Sequence, residues 1–359
     1  MRSSKFVCVT LCLVILLGVF SSCSPKNANE SKSSVEEPKT QGKSYYDYFD
    51  TVSGIFSYCG DSAEEFAANC EAAAAVLEEY HRLFDIYYEY AEVNNLKTVN
   101  KNAGIAPVKV DKKLIDFLLY AKDIYVLTDG ATNIAMGAVL RLWHDAREDG
   151  IDDPDNAYLP DGGALLEAAA HTNIENLIID EQAQMVYLSD PLMSLDVGAI
   201  GKGYATERAA ELLIERGVTS YALNIGGNIR TIGTKASGDG WITGITNPDK
   251  SSEEEFVCRV SIKDISLVSS GDYERFYVVD GKPYHHIIDP KTNMPAEYFS
   301  SISIFTKDSA LADALSTALF CMSYEDGLAL IEKIGGVEVI WVDRNGTLAM
   351  TDGVPLYNE

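Results

Sequence analysis

Basic residues are scarce in this chain. It has 29 Lys and Arg residues against 54 Asp and Glu residues, and its formal net charge is -25. A surface of this charge repels nucleic acid and anionic lipid headgroups, because both are polyanions. We therefore expect no nucleic-acid partner. A phosphorylated ligand would also be repelled by the protein as a whole, so we expect local cationic groups or a metal ion to hold it.

Cysteine pairs with the CxxC spacing of zinc sites and redox centres are absent from the sequence. Of the seven cysteines, Cys8 and Cys12 belong to an apolar N-terminal segment and Cys23 follows it. We predict that the others are free, buried thiols, with a bridge between Cys59 and Cys70 as the alternative. These four are Cys59, Cys70, Cys258 and Cys321.

The N-terminal apolar run, residues 6–20, is too short to span a membrane comfortably. It follows two basic residues and ends at Cys23 after two serines, which is the pattern of a secretory signal. Small residues directly before a cysteine are similar to the lipobox of bacterial lipoproteins, in which that cysteine is lipidated. We predict a lipoprotein signal peptide over residues 1–22 and lipid attachment, such as palmitate, at Cys23. An ordinary cleavable signal peptide is the alternative.

Large apolar residues are nearly missing from residues 24–44, which are rich in Ser, Lys, Asn, Glu and Pro. We predict a disordered tether over residues 23–44, because such a composition cannot bury enough apolar surface to fold. Residues 45–359 then form the folded domain, which is long enough for one large core or two closely packed lobes. Its predicted strands and helices do not alternate strictly, so we expect an α+β fold with a mixed β-sheet core and helices packed around it.

Local patterns predict most of the helices and hairpins. The predicted helices cover residues 62–83, 112–128, 203–216, 309–322 and 324–334. Ser62 and Glu65 have the spacing of a capping box at the start of the first helix. Asp280-Gly281 and Asn345-Gly346 are typical of tight turns between two strands. The acidic stretch 145–156 lacks the glycine and terminal glutamate of an EF-hand calcium loop, and we interpret it as a solvated surface loop.

Residues 195–205 form a glycine-rich junction between a strand and a helix, with Asp196 and Lys202 among the glycines. Glycines let backbone N–H groups approach an anion closely, and the N-terminus of the following helix is positively polarised. Lys202 adds a mobile positive charge. The junction therefore indicates a phosphate site, although the same pattern also serves simply to pack a helix against a sheet.

Asp313 and Thr317 lie four residues apart on a predicted helix, so their side chains share one face. Carboxylate and hydroxyl oxygens suit Mg²⁺, which completes its coordination with water and substrate phosphate. We interpret this face as a candidate metal site. The alternative is a helix that buries its apolar residues and leaves Asp313 to solvent.

Histidine is rare, with five residues, and His285 and His286 are adjacent in a predicted strand. Neighbouring strand residues point to opposite faces, so at most one of them faces a given cleft. A histidine there would accept the proton of an attacking hydroxyl, since its ordinary pKa lies near neutrality. A structural histidine is the alternative. Tyr87, in an aromatic cluster at residues 84–88, either stacks on a planar ligand or belongs to the core.

Together these segments resemble the ApbE family of FAD:protein FMN transferases, in the family's order and from about residue 46 to the C-terminus. They are residues 49–51, 84–87, 128–130, 133–137, 195–205, 224–228, 270–273, 285–290 and 313–318. The resemblance implies that the protein takes FAD as substrate and cleaves its diphosphate with the help of Mg²⁺. It would transfer the FMN half to a Thr or Ser hydroxyl of a partner protein, releasing AMP. It also implies a FAD cleft between two lobes.

The resemblance assigns roles to individual residues. It implies that Mg²⁺ is held by the carbonyl oxygen of Ala199 and by the side chains of Asp313 and Thr317. His286, the histidine nearer the turn that follows its strand, is the expected general base, and Lys202 is expected to stabilise developing negative charge. The implied FAD contacts are Tyr87, Ile134, Ala135, Met136, Asp196, Lys202 and Ile287.

Two positions depart from the family pattern. Asn133-Ile134-Ala135 replaces an Asp-Ile-Thr-like sequence, so we expect backbone contacts to FAD there rather than side-chain hydrogen bonds. Phe49 replaces a methionine, which preserves an apolar contact.

The resemblance further implies partners and a location. The acceptors would be flavoprotein subunits of membrane redox complexes, and the protein would be lipid-anchored on the extracytoplasmic face of the cell membrane. Two other functions stay open: a Mg²⁺-dependent FAD pyrophosphatase that gives FMN and AMP, and a flavin-binding lipoprotein without catalysis. The pyrophosphatase would use the same residues, with water as the nucleophile.

Overall fold

An eight-stranded sheet is the main element of the computed structural model, which describes residues 40–358. The strands are β1 (Gln41–Tyr48), β2 (Thr51–Ser57), β3 (Val108–Lys109), β4 (Leu177–Asp180), β5 (Met185–Leu188), β6 (Ser220–Ile225), β7 (Asn228–Gly233), β8 (Trp241–Thr246), β9 (Phe256–Ile262), β10 (Ser266–Gly271), β11 (Phe276–Val279), β12 (Lys282–His285), β13 (Ile288–Asp289), β14 (Met294–Pro295), β15 (Phe299–Thr306), β16 (Glu338–Asp343) and β17 (Leu348–Met350).

The large sheet has the strand order β1-β2-β6-β7-β10-β15-β16-β17. Each neighbouring pair in it is antiparallel. The smaller sheets are β3-β5-β4, β8-β9, β11-β12 and β13-β14. A parallel bridge between Met136 and Ser194 lies outside the named strands.

Helices pack beside these sheets. They are α1 (Ala63–Phe84), α2 (Leu96–Lys101), α3 (Lys112–Leu127), α4 (Gly137–Asp152), α5 (Gly162–Ala169), α6 (Gly201–Glu215), α7 (Ser309–Phe320) and α8 (Tyr324–Ile334). α6 packs against α1 and α7, and α7 lies on β10 and β15 of the large sheet. α7 contributes side chains to two separate core clusters, so its position is fixed from both sides. The predicted α+β class is confirmed.

Several local predictions are confirmed. At the capping box of α1, the Ser62 hydroxyl accepts the Glu65 N–H at 3.1 Å, and the Glu65 carboxylate accepts the Ser62 N–H at 3.0 Å. The hairpin of β11 and β12 turns at Asp280 and Gly281, which have φ angles of 50° and 79°. Both values lie in the left-handed region that a tight hairpin turn requires. The four cysteines of the folded part are free, with Cys70 and Cys321 buried and the other two partly buried.

Two predictions within the folded part were wrong. Most of the acidic stretch 145–156, interpreted as a loop, belongs to α4, which continues to Asp152. Acidic residues are compatible with this helix because Arg141 binds both oxygens of Asp145, one turn away, at 2.8 and 2.9 Å. The apolar face of the same helix is buried through Trp143 and Ala146. α6 begins at Gly201 rather than at residue 203, so Lys202 lies in its first turn.

The folded part also begins earlier than predicted. The tether was expected to reach residue 44, but Gln41 already belongs to β1 and pairs with Ser57 of β2. The first four residues of this edge strand, 41–44, are largely exposed and carry no large apolar side chain, so this part of its sequence resembles that of the tether. The predicted signal peptide, Cys23 and the rest of the tether lie outside the described residues. Within residues 40–358, no helix has both the length and the apolar character needed to cross a bilayer.

Candidate active site

α6 and α7 cross closely at Gly203, and this crossing depends on the lack of a side chain there. A Cβ atom at Gly203 would lie 2.3 Å from the Cβ of Asp313 and 2.3 Å from the carbonyl oxygen of Ser309. A side chain at this position would therefore force the two helices apart. This glycine of the junction serves helix packing, which the sequence analysis had kept as the alternative to phosphate binding.

Asp313 is buried in this crossing, with only 4% of its surface exposed. Its Oδ2 accepts the Gly203 N–H at 2.7 Å and lies 3.4 Å from the Asn228 side-chain nitrogen, which donates to it. Its Oδ1 lies 3.9 Å from Nζ of Lys202. Burial raises the pKa of Asp313, while the charge of Lys202 and the two hydrogen bonds oppose that rise. Oδ2 of Asp313 is thus hydrogen-bonded within the protein, whereas Oδ1 faces the ammonium group of Lys202.

Lys202 connects the turn before α6 to Asp313. Its Nζ is 3.5 Å from the carbonyl oxygen of Gly198 as well as 3.9 Å from Oδ1 of Asp313. A positive charge therefore already lies between a backbone carbonyl and a buried carboxylate. Ala199 belongs to the same turn, and Thr317 is half-buried one helical turn beyond Asp313.

The donors predicted for the metal are a carboxylate, a hydroxyl and a carbonyl, all of them hard oxygens. Such a set contains a single acidic side chain. Residues 40–358 contain no group of three or more His, Cys, Asp and Glu residues that could hold a metal ion. The metal role of Ala199, Asp313 and Thr317 stays a prediction, and the buried carboxylate facing a cation is compatible with it.

Asp196 is held beside this turn by its backbone and its side chain. Its N–H donates to the carbonyl of Ile134 at 2.8 Å, and its Oδ1 accepts the Gly198 N–H at 2.9 Å. Burial raises its pKa, and the Gly198 hydrogen bond together with the charges of His144, Arg147 and Lys202 opposes the rise. Asp196 is thus close enough to Lys202 for their charges to interact, and their predicted contact with FAD stays a prediction.

The apolar residues predicted to contact FAD are almost fully buried. Ile134, Ala135, Met136 and Ile287 have between 0% and 6% of their surface exposed and pack in core clusters. Asn133 is occupied within the protein, since it accepts the Ala135 N–H at 2.9 Å and donates to the Thr172 carbonyl at 3.0 Å. Side chains in these positions are therefore part of the core. Their predicted contact with FAD stays a prediction, restricted to backbone atoms and to small exposed edges.

The two adjacent histidines have different roles. His285 is buried, and both of its ring nitrogens bind backbone groups: Nε2 donates to the Ala296 carbonyl at 2.8 Å, and Nδ1 accepts the Ile287 N–H at 3.2 Å. His286 is half-buried, and its Nδ1 is 3.2 Å from the carbonyl oxygen of Arg275. A carbonyl only accepts, so Nδ1 carries the proton in this contact and Nε2 keeps its lone pair. His286 is therefore the one of the two that is suited to accept a proton.

The pKa of His286 is affected by burial and by the charged side chains around it. Burial lowers its pKa to about 3, and the positive charges of Arg275, Arg147 and Lys202 contribute in the same direction. These side chains come from three places, namely the residue just before β11, α4, and the first turn of α6. Three positively charged side chains therefore surround His286 in a protein whose net charge is -25.

The contribution of α4 to this site was not predicted from the sequence. Arg147 lies 3.0 Å from Nδ1 of His144, three residues earlier on the same helix face. Because this stretch was interpreted partly as a loop, the two residues were not recognised as neighbours. Residues three positions apart on a helix lie on the same face, so the spacing of His144 and Arg147 would have indicated their contact if the stretch had been interpreted as a helix.

Tyr87 lies next to α4. Its ring is 47% exposed and its centroid is 5.6 Å from that of His144, with an angle of 40° between the planes. Its N–H donates to Oδ1 of Asp85 at 2.6 Å, which fixes the backbone that carries the ring. The ring is thus only partly covered by the protein, and its predicted stacking on FAD stays a prediction.

Comparison with known proteins gives one consistent result. The model of the ApbE family matches residues 50–341. A FAD:protein FMN transferase of Treponema pallidum is 36% identical over 273 residues, which are 72% of this chain and 73% of that protein. One from Klebsiella pneumoniae is 29% identical over 282 residues, 77% of this chain and 85% of that protein.

Solved structures support the same fold. The crystal structure of the ApbE protein from Thermotoga maritima superposes with a TM-score of 0.75 at 27% identity, covering 88% of this chain and 97% of that one. The flavin transferase ApbE from Vibrio cholerae superposes with a TM-score of 0.72 at 24% identity, covering 87% and 96%. At that identity the second comparison supports the fold alone.

Proposed function

Because this chain belongs to the ApbE family, we propose that its cleft binds FAD and that it is a FAD:protein FMN transferase like its named relatives. The position of Lys202 carries this proposal. Its ammonium group lies between the Gly198 carbonyl and the buried Asp313 carboxylate, in the first turn of α6. A diphosphate placed there would meet positive charge from Lys202, Arg147 and Arg275.

A metal ion fits this arrangement. Asp313 is a buried carboxylate with one oxygen turned toward a cation, and Thr317 and the turn containing Ala199 add hard oxygen donors. When bound, Mg²⁺ would neutralise charge on the diphosphate and on the departing phosphate. This also answers the repulsion expected from the net charge of -25.

In the proposed reaction a Thr or Ser hydroxyl oxygen of the acceptor attacks the phosphorus on the FMN side of the diphosphate. The new phosphorus–oxygen bond forms as the bond to the AMP phosphate breaks, and AMP leaves with the bridging oxygen. Nε2 of His286 accepts the hydroxyl proton, while the Arg275 carbonyl orients the ring through Nδ1. The negative charge of the bound diphosphate would offset the positive charges that, in addition to burial, lower the pKa of this histidine in the free protein. Lys202 stabilises the negative charge that spreads over the phosphate oxygens.

The deciding experiment uses an acceptor flavoprotein subunit with a Thr or Ser target site. After incubation with the protein, FAD and Mg²⁺, intact-mass spectrometry is expected to show a gain equal to FMN on the acceptor, with one AMP released for each. Free FMN without modified acceptor would instead identify a FAD pyrophosphatase. An acceptor with its target residue changed to Val is the matched control.

Attachment to the membrane and the choice of acceptor belong to the same proposal. The sequence pattern before Cys23 supports a lipid anchor that would hold the folded domain on the extracytoplasmic face. Acceptors would then be flavoprotein subunits of membrane redox complexes that expose their target site on that face. Metabolic labelling with palmitate is expected to mark the natural chain and not a Cys23→Ala variant, and an unlabelled natural chain would contradict the anchor.

A further inference from the structure

A second contact between α6 and α7 lies one helical turn from the first. Glu207, on α6, is 6% exposed, and its Oε2 accepts the N–H of Ser309, the first residue of α7, at 2.7 Å. In the first contact the direction is reversed, since Asp313 of α7 accepts the N–H of Gly203 of α6 at 2.7 Å. Each helix thus gives one carboxylate to a backbone N–H of the other. We call this pair of contacts the α6–α7 clamp.

The Glu207 carboxylate is itself held in place. Nε of Arg230, on β7, lies 3.1 Å from Oε2 and 3.3 Å from Oε1 of Glu207. Arg230 is 6% exposed and also donates to the carbonyl of Thr231, so its position is set by the large sheet. Removing one partner from a buried pair of this kind leaves an uncompensated charge, which is strongly unfavourable. The clamp is therefore anchored to β7 as well as to both helices.

The clamp has a direct consequence for the proposed metal site. With Oδ2 of Asp313 committed to the Gly203 N–H, the carboxylate presents Oδ1 toward Lys202 and the turn at residues 198–200. A shift of α7 along α6 would break this bond and turn the carboxylate away. Glu207 fixes that register from a position one turn deeper in the interface.

We propose that Glu207 is a positioning residue, which sets the orientation of the Asp313 carboxylate for metal binding through the α6–α7 clamp. The proposal rests on the proposed function where it refers to the metal, but the clamp itself is a feature of the free protein. Groups that orient a metal ligand in this way typically change metal affinity by about 10- to 100-fold.

The test compares Glu207→Ala and Glu207→Gln with Glu211→Ala. Glu211 is one turn further along α6 and pairs with Arg208 at 2.9 Å, outside the clamp. In Glu207→Ala, calorimetric titration without FAD is expected to show Mg²⁺ binding weakened by about tenfold or more. kcat for FMN transfer is expected to fall more than KM for FAD rises. Glu207→Gln keeps an oxygen for the Ser309 N–H and is expected to recover part of the affinity, and Glu211→Ala should match the natural protein.

Amide hydrogen exchange supplies a readout that needs neither metal nor activity. The Gly203 amide is expected to exchange about tenfold faster in Glu207→Ala, as for the loss of one buried hydrogen bond. A folded Glu207→Ala protein with natural Mg²⁺ affinity and natural Gly203 protection overturns the proposal. If the alanine variant does not fold, Mg²⁺ affinity and Gly203 amide exchange measured on Glu207→Gln test the proposal instead. If the natural protein transfers no FMN, the proposed function fails, whereas Gly203 exchange still tests the clamp.

Discussion

The two sides of the cleft are built in different ways. On the α6–α7 side, Asp313 and Glu207 are buried and accept backbone N–H groups at 2.7 Å. On the other side are Arg147 of α4, Arg275 just before β11, and the half-exposed ring of Tyr87 in the loop after α1. Buried hydrogen bonds fix geometry, whereas long charged side chains and exposed rings adapt to a ligand.

We infer from this difference that the α6–α7 side positions the reacting groups and that the α4 side binds the dinucleotide. Phosphoryl transfer depends on groups placed before the substrate arrives, because the protein mainly positions and neutralises charge. Binding a large dinucleotide tolerates more adjustment. We therefore expect substitutions on the α6–α7 side to reduce kcat, and substitutions on the α4 side to change FAD binding with little effect on kcat.

The largest effect is expected from Asp313→Asn. The amide keeps an oxygen for the Gly203 N–H but loses the charge that faces the cation. A catalytic metal is worth several kcal/mol, and about 1.4 kcal/mol corresponds to a tenfold change in rate, so kcat for FMN transfer should fall about a thousandfold or more. Single-turnover assays at saturating FAD and Mg²⁺ measure it.

Asp308→Asn is the matched control for this prediction. Asp308 caps α7 by accepting the Ala310 N–H at 2.7 Å, and asparagine is an equally good cap. Its transfer rate should stay near that of the natural protein. An Asp313→Asn protein that transferred FMN at the natural rate in Mg²⁺ would show that the metal site lies elsewhere.

The next effect is expected at His286, where the two sides of the cleft meet. His286→Gln should lower kcat by about 100-fold or more, because it removes the group that accepts the hydroxyl proton. His285→Gln removes a buried imidazole whose nitrogens bind backbone groups, so it should lower the melting temperature and leave kcat of the folded protein far less changed. Equal losses of kcat in the two variants would contradict the assignment of His286 as the base.

The dependence of stability on pH tests the positive charge around His286. Its folded-state pKa is lowered to about 3, below the value of about 6.5 expected in the unfolded chain. Between these values the unfolded state binds the proton more readily, so this histidine makes stability rise with pH. Urea unfolding between about pH 5 and pH 7 should therefore show a steeper loss of stability toward acid in the natural protein than in His286→Gln. Parallel curves would mean that the imidazole is not desolvated by its surroundings.

Much of the α6–α7 side could be predicted from sequence. Helix spacing placed Asp313 and Thr317 on one face, and the glycine pattern identified the junction that contains Asp196 and Lys202. What could not be predicted was the reason for Gly203. Its lack of a side chain matters because Asp313 lies against it, more than a hundred residues later in the chain, and a local pattern contains no information on such a contact.

The α4 side was predicted less well. The acidic residues of 145–156 suggested a loop, because their pairing with Arg141 and the burial of Trp143 depend on the helix that they form. His144 and Arg147 were missed for the same reason. Glu207 was also missed, since nothing in its local sequence indicates that its partners are the N-terminus of α7 and Arg230 of a distant strand.

The smallest effect is expected at Tyr87, on the α4 side. Stacking of an aromatic ring is worth about 0.5–1.5 kcal/mol, so Tyr87→Ala should weaken FAD binding roughly two- to tenfold, while Tyr87→Phe should retain it. Tyr88→Ala is the matched control, because Tyr88 is the next residue in the chain and is more exposed, at 69% against 47% for Tyr87. Quenching of FAD fluorescence measures the affinity, and kcat at saturating FAD should remain near that of the natural protein in all three variants. A Tyr87→Ala protein with normal affinity for FAD would show that the Tyr87 ring does not contact FAD. One with normal affinity for FAD but a lower kcat would contradict the separation of tasks itself, because it would mean that this adaptable side of the cleft also positions the reacting groups.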